Sequence, residues 1–177
     1  MPKTEYLKIP LDRVGPLIGT KGEVKKEIER LTGTSLFVNS DDGTVSISAD
    51  ENMEDPFGVL KSYDIVKSIG KGFNPETAIK LNDDDLYLEV VKLNSYINES
   101  EKELDRQIAK IIGKKGIVVK NISSMAEISI KVYNEEVSLI GEFENVMTAK
   151  KAVEMLLNGV PHKTVYNFLK TEQKERK

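Results

Sequence analysis

The stretch VGPLIGTKGEVKKEIERLTG, Val14 to Gly33, decides the fold. It runs from a short aliphatic segment through Gly19, Thr20, Lys21 and Gly22 into a charged amphipathic run. Val24, Ile28 and Leu31 form one apolar stripe at helical spacing, Lys25, Lys26, Glu27, Glu29 and Arg30 face water, and Gly33 stands where a C-cap belongs. Nothing in the loop is an acid, a base or a nucleophile. Two glycines without Cβ atoms let another backbone come close, and the first N–H groups of the following helix carry partial positive charge. With Lys21 beside it, such a loop suits a phosphate.

The loop occurs twice. LIGTKGEVKKEI (17–28) set over IIGKKGIVVKNI (111–122) aligns both glycines, the second lysine, the aliphatic pair before the loop, and Val24 and Ile28 with Val118 and Ile122, at an offset of 94 residues. The match persists from SLFV (35–38) to SIKV (129–132) and slips by two between VSI (45–47) and VSL (137–139), a gap that a hairpin turn tolerates. Each copy starts with an extended run (YLKI, LYLEVVKL) and a first helix (DRVGPLIG, ELDRQIAKIIG), the latter with Leu104, Ile108, Ile111 and Ile112 at helical spacing. The second helix leads to a hairpin, turning at Asp42-Gly43 in the first copy and at Asn134 to Glu136 in the second. A long helix closes each copy, PFGVLKSYDIVKSIG and NVMTAKKAVEMLLNG, with a terminal glycine. The order is β-α-α-β-β-α, twice, with a first domain over 1–82 and a second over 83–177. Between them Asn74 can cap a short helix that has Pro75 at its first position. The triplet Asp83 to Asp85 reads as a solvated turn rather than a metal site, and the charged tail TEQKERK is expected to fray.

Composition narrows the function. The chain of 177 residues is 39% hydrophobic and 31% charged, and it has no Cys, so disulfides, thiolate metal sites and Cys nucleophiles are excluded. No stretch reaches the roughly 20 apolar residues of a membrane span, and the protein is read as cytoplasmic, with no membrane partner and no cofactor. The net charge of -3 hides a gradient, since residues 101–177 carry 14 basic and 11 acidic groups while 81–100 carry 1 and 5. Nucleic-acid binding by bulk charge calls for a basic chain. Binding here must be local.

Enzymatic readings fail on spacing. A P-loop needs four residues between its glycines and GK[ST] after them, whereas GPLIGTK has three and lacks the ending. His162, the lone histidine, has no serine motif or Cys partner and is expected to line the start of the last helix. Tyr87, Tyr96 and Tyr133 could stack on bases, though burial in sheets is the commoner fate of such residues. A sugar-phosphate strand held by the loop would lie against aliphatic side chains of the preceding helix and the first hairpin strand. This is the KH mode, which clamps about four nucleotides of a single strand. The candidate RNA-binding residues are Gly19, Thr20, Lys21, Gly22 and Lys25 in the first copy and Gly113, Lys114, Lys115, Gly116 and Lys120 in the second, with Val14, Ile18, Leu36, Val38 and Ile112 as the aliphatic floor.

On these residues the chain resembles the archaeal two-KH ribosome-assembly proteins, relatives of the eukaryotic Partner-of-Nob and Dim factors of the small ribosomal subunit. The resemblance covers nearly the whole chain and is carried by IPLDRVGPLIGTKGEVKKEIERLTG, by IGKGFNPETAIKL with LYLEVV after it, and by AVEMLLNGVPHKTVYNFL. It implies an α+β fold of two tandem type I KH domains, each an antiparallel three-stranded sheet with helices packed on one face. It also implies binding to single-stranded RNA at the 3′ end of small-subunit rRNA, during ribosome assembly and rRNA maturation, with no catalysis by the chain itself. The implied partners are the endonuclease that matures that end and a translation initiation factor. One departure stands out: Ile117, Val118 and Val119 follow the second loop where the family usually has arginines, leaving Lys120. An alternative reading is a protein-interaction scaffold with largely structural KH folds, docking through the acidic joint and the final helix from Val165 to Lys170.

Overall fold

A computed structural model describes residues 4–51, 53–95 and 101–176. The chain divides into two compact units, Met1–Asp84 and Asp85–Lys177. In the first, β1 (Thr4–Lys8) leads through a 3-10 turn into the short helix α1 (Val14–Ile18), the loop, and α2 (Glu23–Thr32). The hairpin strands β2 (Thr34–Val38) and β3 (Thr44–Ala49) follow, then α3 (Gly58–Gly70) and the one-turn α4 (Pro75–Ala78). The second unit repeats the order with β4 (Leu86–Lys92), α5 (Glu101–Ile112), α6 (Ile117–Ala126), β5 (Ser129–Tyr133), β6 (Glu136–Glu142) and α7 (Phe143–Leu157), and adds α8 (His162–Arg176).

Both sheets are antiparallel and three-stranded, ordered β1-β3-β2 and β4-β6-β5, so the last strand lies in the middle and the first strand of each hairpin at an edge. Val45 and Ile47 on β3, and Val137 and Leu139 on β6, are fully buried. Leu17, Ile28, Ile65 and Ile69 are fully buried too in the first unit, and in the second Ile111, Ile122, Val153 and Leu156 share one core cluster with Val137 and Leu139. Burying one such aliphatic side chain stabilises by about 1.5–3 kcal/mol, far more than any surface ion pair contributes. The tight turn of the second hairpin puts both Asn134 and Glu135 at positive φ, the geometry whose twist suits a two-residue connection. Asn74 caps α4 as its sequence suggests: its side chain accepts from the Thr77 N–H at 2.8 Å, with Pro75 next in the chain.

Two sequence expectations are corrected. The tail does not fray, because α8 continues to Arg176, whose guanidinium donates to Asn145, Thr148 and the Glu144 carbonyl at the start of α7. A charged segment looks solvated in sequence, but these acceptors lie some thirty positions upstream. In the first unit the closing glycine is Gly72 (φ 104°), not Gly70. Gly70 ends α3 for a different reason: a Cβ there would lie 2.7 Å from Ile9 Cγ2, so its smallness lets the end of β1 pack on the helix.

Arg13 joins the entry of α1 to the end of α3. Its Nε donates to the Ile69 carbonyl at 2.8 Å and its Nη2 to the Phe73 carbonyl at 2.9 Å. The residue 94 positions later, Gln107, makes no such bridge and turns to Glu103 within its own helix. Arg13→Ala is expected to destabilise the first unit by about 1.5–3 kcal/mol, the range for hydrogen bonds to a charged group. A lowered urea midpoint with an unchanged slope would show it. Glu127 occupies the C-cap of α6 at φ 56°, where the first unit has Gly33. Glu127→Gly should relieve the left-handed strain and stabilise the second unit by about 0.5–1 kcal/mol, read as a higher melting temperature.

Candidate nucleic-acid interface

The two loops have one conformation. Gly19, Lys21 and Gly22 lie at φ/ψ of 75/176°, 54/26° and 75/15°. Gly113, Lys115 and Gly116 lie at 76/174°, 56/27° and 74/18°. The turn closes with Gly22 N–H on the Gly19 carbonyl and Gly116 N–H on the Gly113 carbonyl, each at 3.2 Å. Lys21 and Lys115 are held in the left-handed region that a side chain ordinarily avoids. Strain kept twice at the same place is a feature of binding loops rather than of ordinary helix caps.

The two glycines of each loop do different work. A Cβ on Gly19 would lie 2.5 Å from Val24 Cγ2 and 2.9 Å from Val24 N; on Gly113 it would lie 2.3 Å from Val118 Cγ2 and 2.9 Å from Val118 N. The first glycine is therefore a packing position that seats the second helix against the loop. The second faces open space: nothing lies within 4 Å of a Cβ on Gly116, and only Lys26 Cε, at 3.9 Å, near one on Gly22. A backbone can approach on that side.

Lys21, Lys114, Lys115, Lys120 and Thr20 are exposed around the loops. Lys25 is half-buried, with its Nζ 4.0 Å from Glu29 Oε1, at the position that holds Val119 in the second copy. The counterpart of Lys120 is instead Lys26, whose side chain passes beside Gly22. The 94-residue offset already marks Lys26, and sequence reasoning passed over it. Arg30 grips Glu27 at 2.9 and 2.6 Å, holding the Glu27 carboxyl below the usual carboxylate range. In the second copy Val118 goes into the core, Val119 packs on it, and Ile117 stays half exposed.

The aliphatic floor differs between the units. Val14 and Leu36 are only 7% and 4% exposed and belong to the core, while Ile18 and Val38 are half-buried. All four counterparts in the second unit, Ile108, Ile112, Ile130 and Val132, are half-buried. Of these the sequence reading singled out Ile112 alone, although the same offset marks the rest. Elsewhere, His162 opens α8, facing the Lys110 carbonyl at 3.3 Å and stacking on Tyr166. Tyr133 is half-buried, Tyr87 meets Phe143 edge-on at 5.4 Å, and Tyr96 lies outside the described residues. Asp84 of the acidic joint pairs with Lys61 at 2.7 Å.

Comparison with known proteins agrees with this geometry. The KH domain model matches residues 4–55, and the eukaryotic type KH-domain (KH-domain type I) model matches residues 87–174. The KH domain-containing protein MJ0443 of Methanocaldococcus jannaschii is 45% identical over 173 residues, which cover 98% of this chain and 75% of that one. The chain belongs to the two-KH family of Dim2 and PNO1. The pre-rRNA-processing protein PNO1 of Coccidioides immitis is 25% identical over 92% of this chain and 64% of its own length. The crystal structure of an a/eIF2alpha–aDim2p–rRNA complex from Pyrococcus horikoshii OT3 contains a chain that superposes with a TM-score of 0.93 at 41% identity, covering 98% of this chain and 96% of that one. The family's repeated KH unit is thus present twice, with both loops intact.

The unequal glycines lead to a stability test. Gly113→Ala is expected to melt well below Gly116→Ala, because both carry the left-handed strain of about 1–2 kcal/mol but only the former drives a Cβ into Val118. Equal melting temperatures would contradict the assignment. The open glycines are accordingly the positions at which to block a ligand while keeping the fold.

Proposed function

We propose that the chain binds single-stranded RNA through both loops and reads the 3′ end region of small-subunit rRNA during ribosome assembly and rRNA maturation. The observation that carries this is the shared backbone of the two G-x-x-G loops, strained alike, each leading into a helix N-terminus with lysines alongside. The residues that bind would be Gly19, Thr20, Lys21, Gly22, Lys25 and Lys26 in the first unit and Gly113, Lys114, Lys115, Gly116 and Lys120 in the second. Val14, Ile18, Leu36, Val38 and Ile112 would form the floor, joined by Ile108, Ile130 and Val132. The relatives support the ligand, since one is a pre-rRNA-processing protein and a structural neighbour belongs to a complex with rRNA. That complex also holds a translation factor, which supports a/eIF2alpha as a protein partner. The endonuclease that trims the same rRNA end is a further partner, and the cytoplasm the compartment.

The chemistry needs no catalyst. A phosphate at each loop meets the glycine backbone and one or two lysines, while the bases lie on aliphatic side chains. The second unit has the better opening, with two loop lysines and all four floor residues partly exposed. The final helix spends Val165 and Leu169 on the core, which leaves only its outer face, including Lys170, for a docking protein.

Fluorescence anisotropy of a labelled strand matching the rRNA 3′ end, against a scrambled strand and a duplex, tests the proposal. The matching strand should bind most tightly, and Gly116→Asp should weaken it at least about tenfold without lowering the melting temperature by more than a few degrees. With about three phosphates held per loop, log K should fall against log salt with a slope of about -2 for one engaged loop. Equal weak binding of all three probes would refute the proposal.

A further inference from the structure

The first unit carries a carboxylate where the second has none, and its position bears on how bases are read. β2 is an edge strand: one row of its backbone groups pairs with β3, and the other faces away from the sheet. On that outer row the Leu36 N–H donates to Glu29 Oε2 at 2.9 Å. Glu29 stands on the last turns of α2, the helix that begins at the loop, and Lys25 Nζ sits 4.0 Å from its other oxygen. The residue 94 positions on is Ser123, whose hydroxyl donates to the Ile128 carbonyl. No carboxylate occurs anywhere on α6. The edge of β5 beside Ile130 is therefore not covered by an acid of its own helix.

An aliphatic floor holds a base but does not distinguish one base from another. Discrimination needs directional partners, and an outward-facing N–H on the strand beside that floor is such a donor, suited to a ring nitrogen or carbonyl oxygen of a base. A carboxylate on that N–H uses the donor and adds negative charge beside bound phosphates. Resting on the RNA-binding reading above, we propose that Glu29 closes the base-reading edge of the first unit. The first loop then holds sugar-phosphate with little regard to sequence, and selection falls to the second unit. Glu29 is a positioning residue in this account: it acts through the Leu36 N–H.

The test uses the full chain with Gly116→Asp to disable the second loop, and short labelled strands of rA, rC and rU. Adding Glu29→Ala, or Glu29→Ser to copy the second unit, should tighten binding about fivefold, the factor of one hydrogen bond, and should separate the three strands in affinity. Glu29→Gln keeps an oxygen on the Leu36 N–H without the charge, and should leave the three bound alike. The proposal is overturned if Glu29→Ala and Glu29→Ser, folded by their urea midpoints, bind no more tightly than the parent, or if Glu29→Gln opens the site as fully, since charge alone would then be at work. A wild-type chain that binds none of the strands, nor the matching rRNA strand, would refute the RNA-binding reading and this inference with it. Binding by the wild type with no response to Glu29 refutes only the inference.

Discussion

Everything at the candidate interface depends on one steric contact, made twice. The missing Cβ at Gly19 and Gly113 lets Val24 and Val118 close onto the loop backbone, with separations that any side chain would violate. That contact sets where the second helix begins and therefore where its first N–H groups aim. It also brings the first helix of each unit up to the second with only the loop between them. The left-handed backbone at Lys21 and Lys115 follows from the same closure, and it turns the lysine side chains out to solvent. Aliphatic burial on the central strand holds the sheet beneath, so the loop's strain is borne by a core many times stronger than the strain itself.

On this shared frame the two units have diverged in what surrounds the loop. The first is tightened by Arg13 on the end of α3 and by buried hydroxyls, with Thr32 bonded to the Ile28 carbonyl and to Thr34, and Thr34 to Ser62. Its floor is partly drawn into the core. Among its described residues the second has no equivalent of the Arg13 bridge; it tolerates Glu127 in a left-handed cap and gains α8, whose Val165 and Leu169 complete the core. Its aliphatic floor remains open. The chain thus has one unit that is more closed and one that is more open, although the loops agree to within a few degrees.

Much of this was legible in the sequence because it depends on local rules. The repeat at 94 residues, the period-two hairpins, the stripe of Val24 and Ile28, the Asn74-Pro75 helix start and the loops themselves each follow from neighbours in the chain. Misreadings arose where distant residues decided the outcome. The tail reads as fraying because its charges are visible in the sequence and their acceptors on α7 are not. Gly70 looked like a helix stop, but it is small because Ile9 packs there. Lys25 and Lys26 are neighbours in the chain, and the helical phase sets Lys26 beside Gly22 and Lys25 near Glu29.

Glycine spacing and apolar periodicity act over a few residues, and they were enough for the class of fold, the duplication and the place of both G-x-x-G loops. Packing settles the rest: which glycine of each pair is crowded and which stays open, how far each aliphatic floor is buried, and which carboxylate meets the strand edge. Those depend on distances between segments that share no local pattern, such as the 2.9 Å between Glu29 and the Leu36 N–H, set by how a helix lies along its sheet.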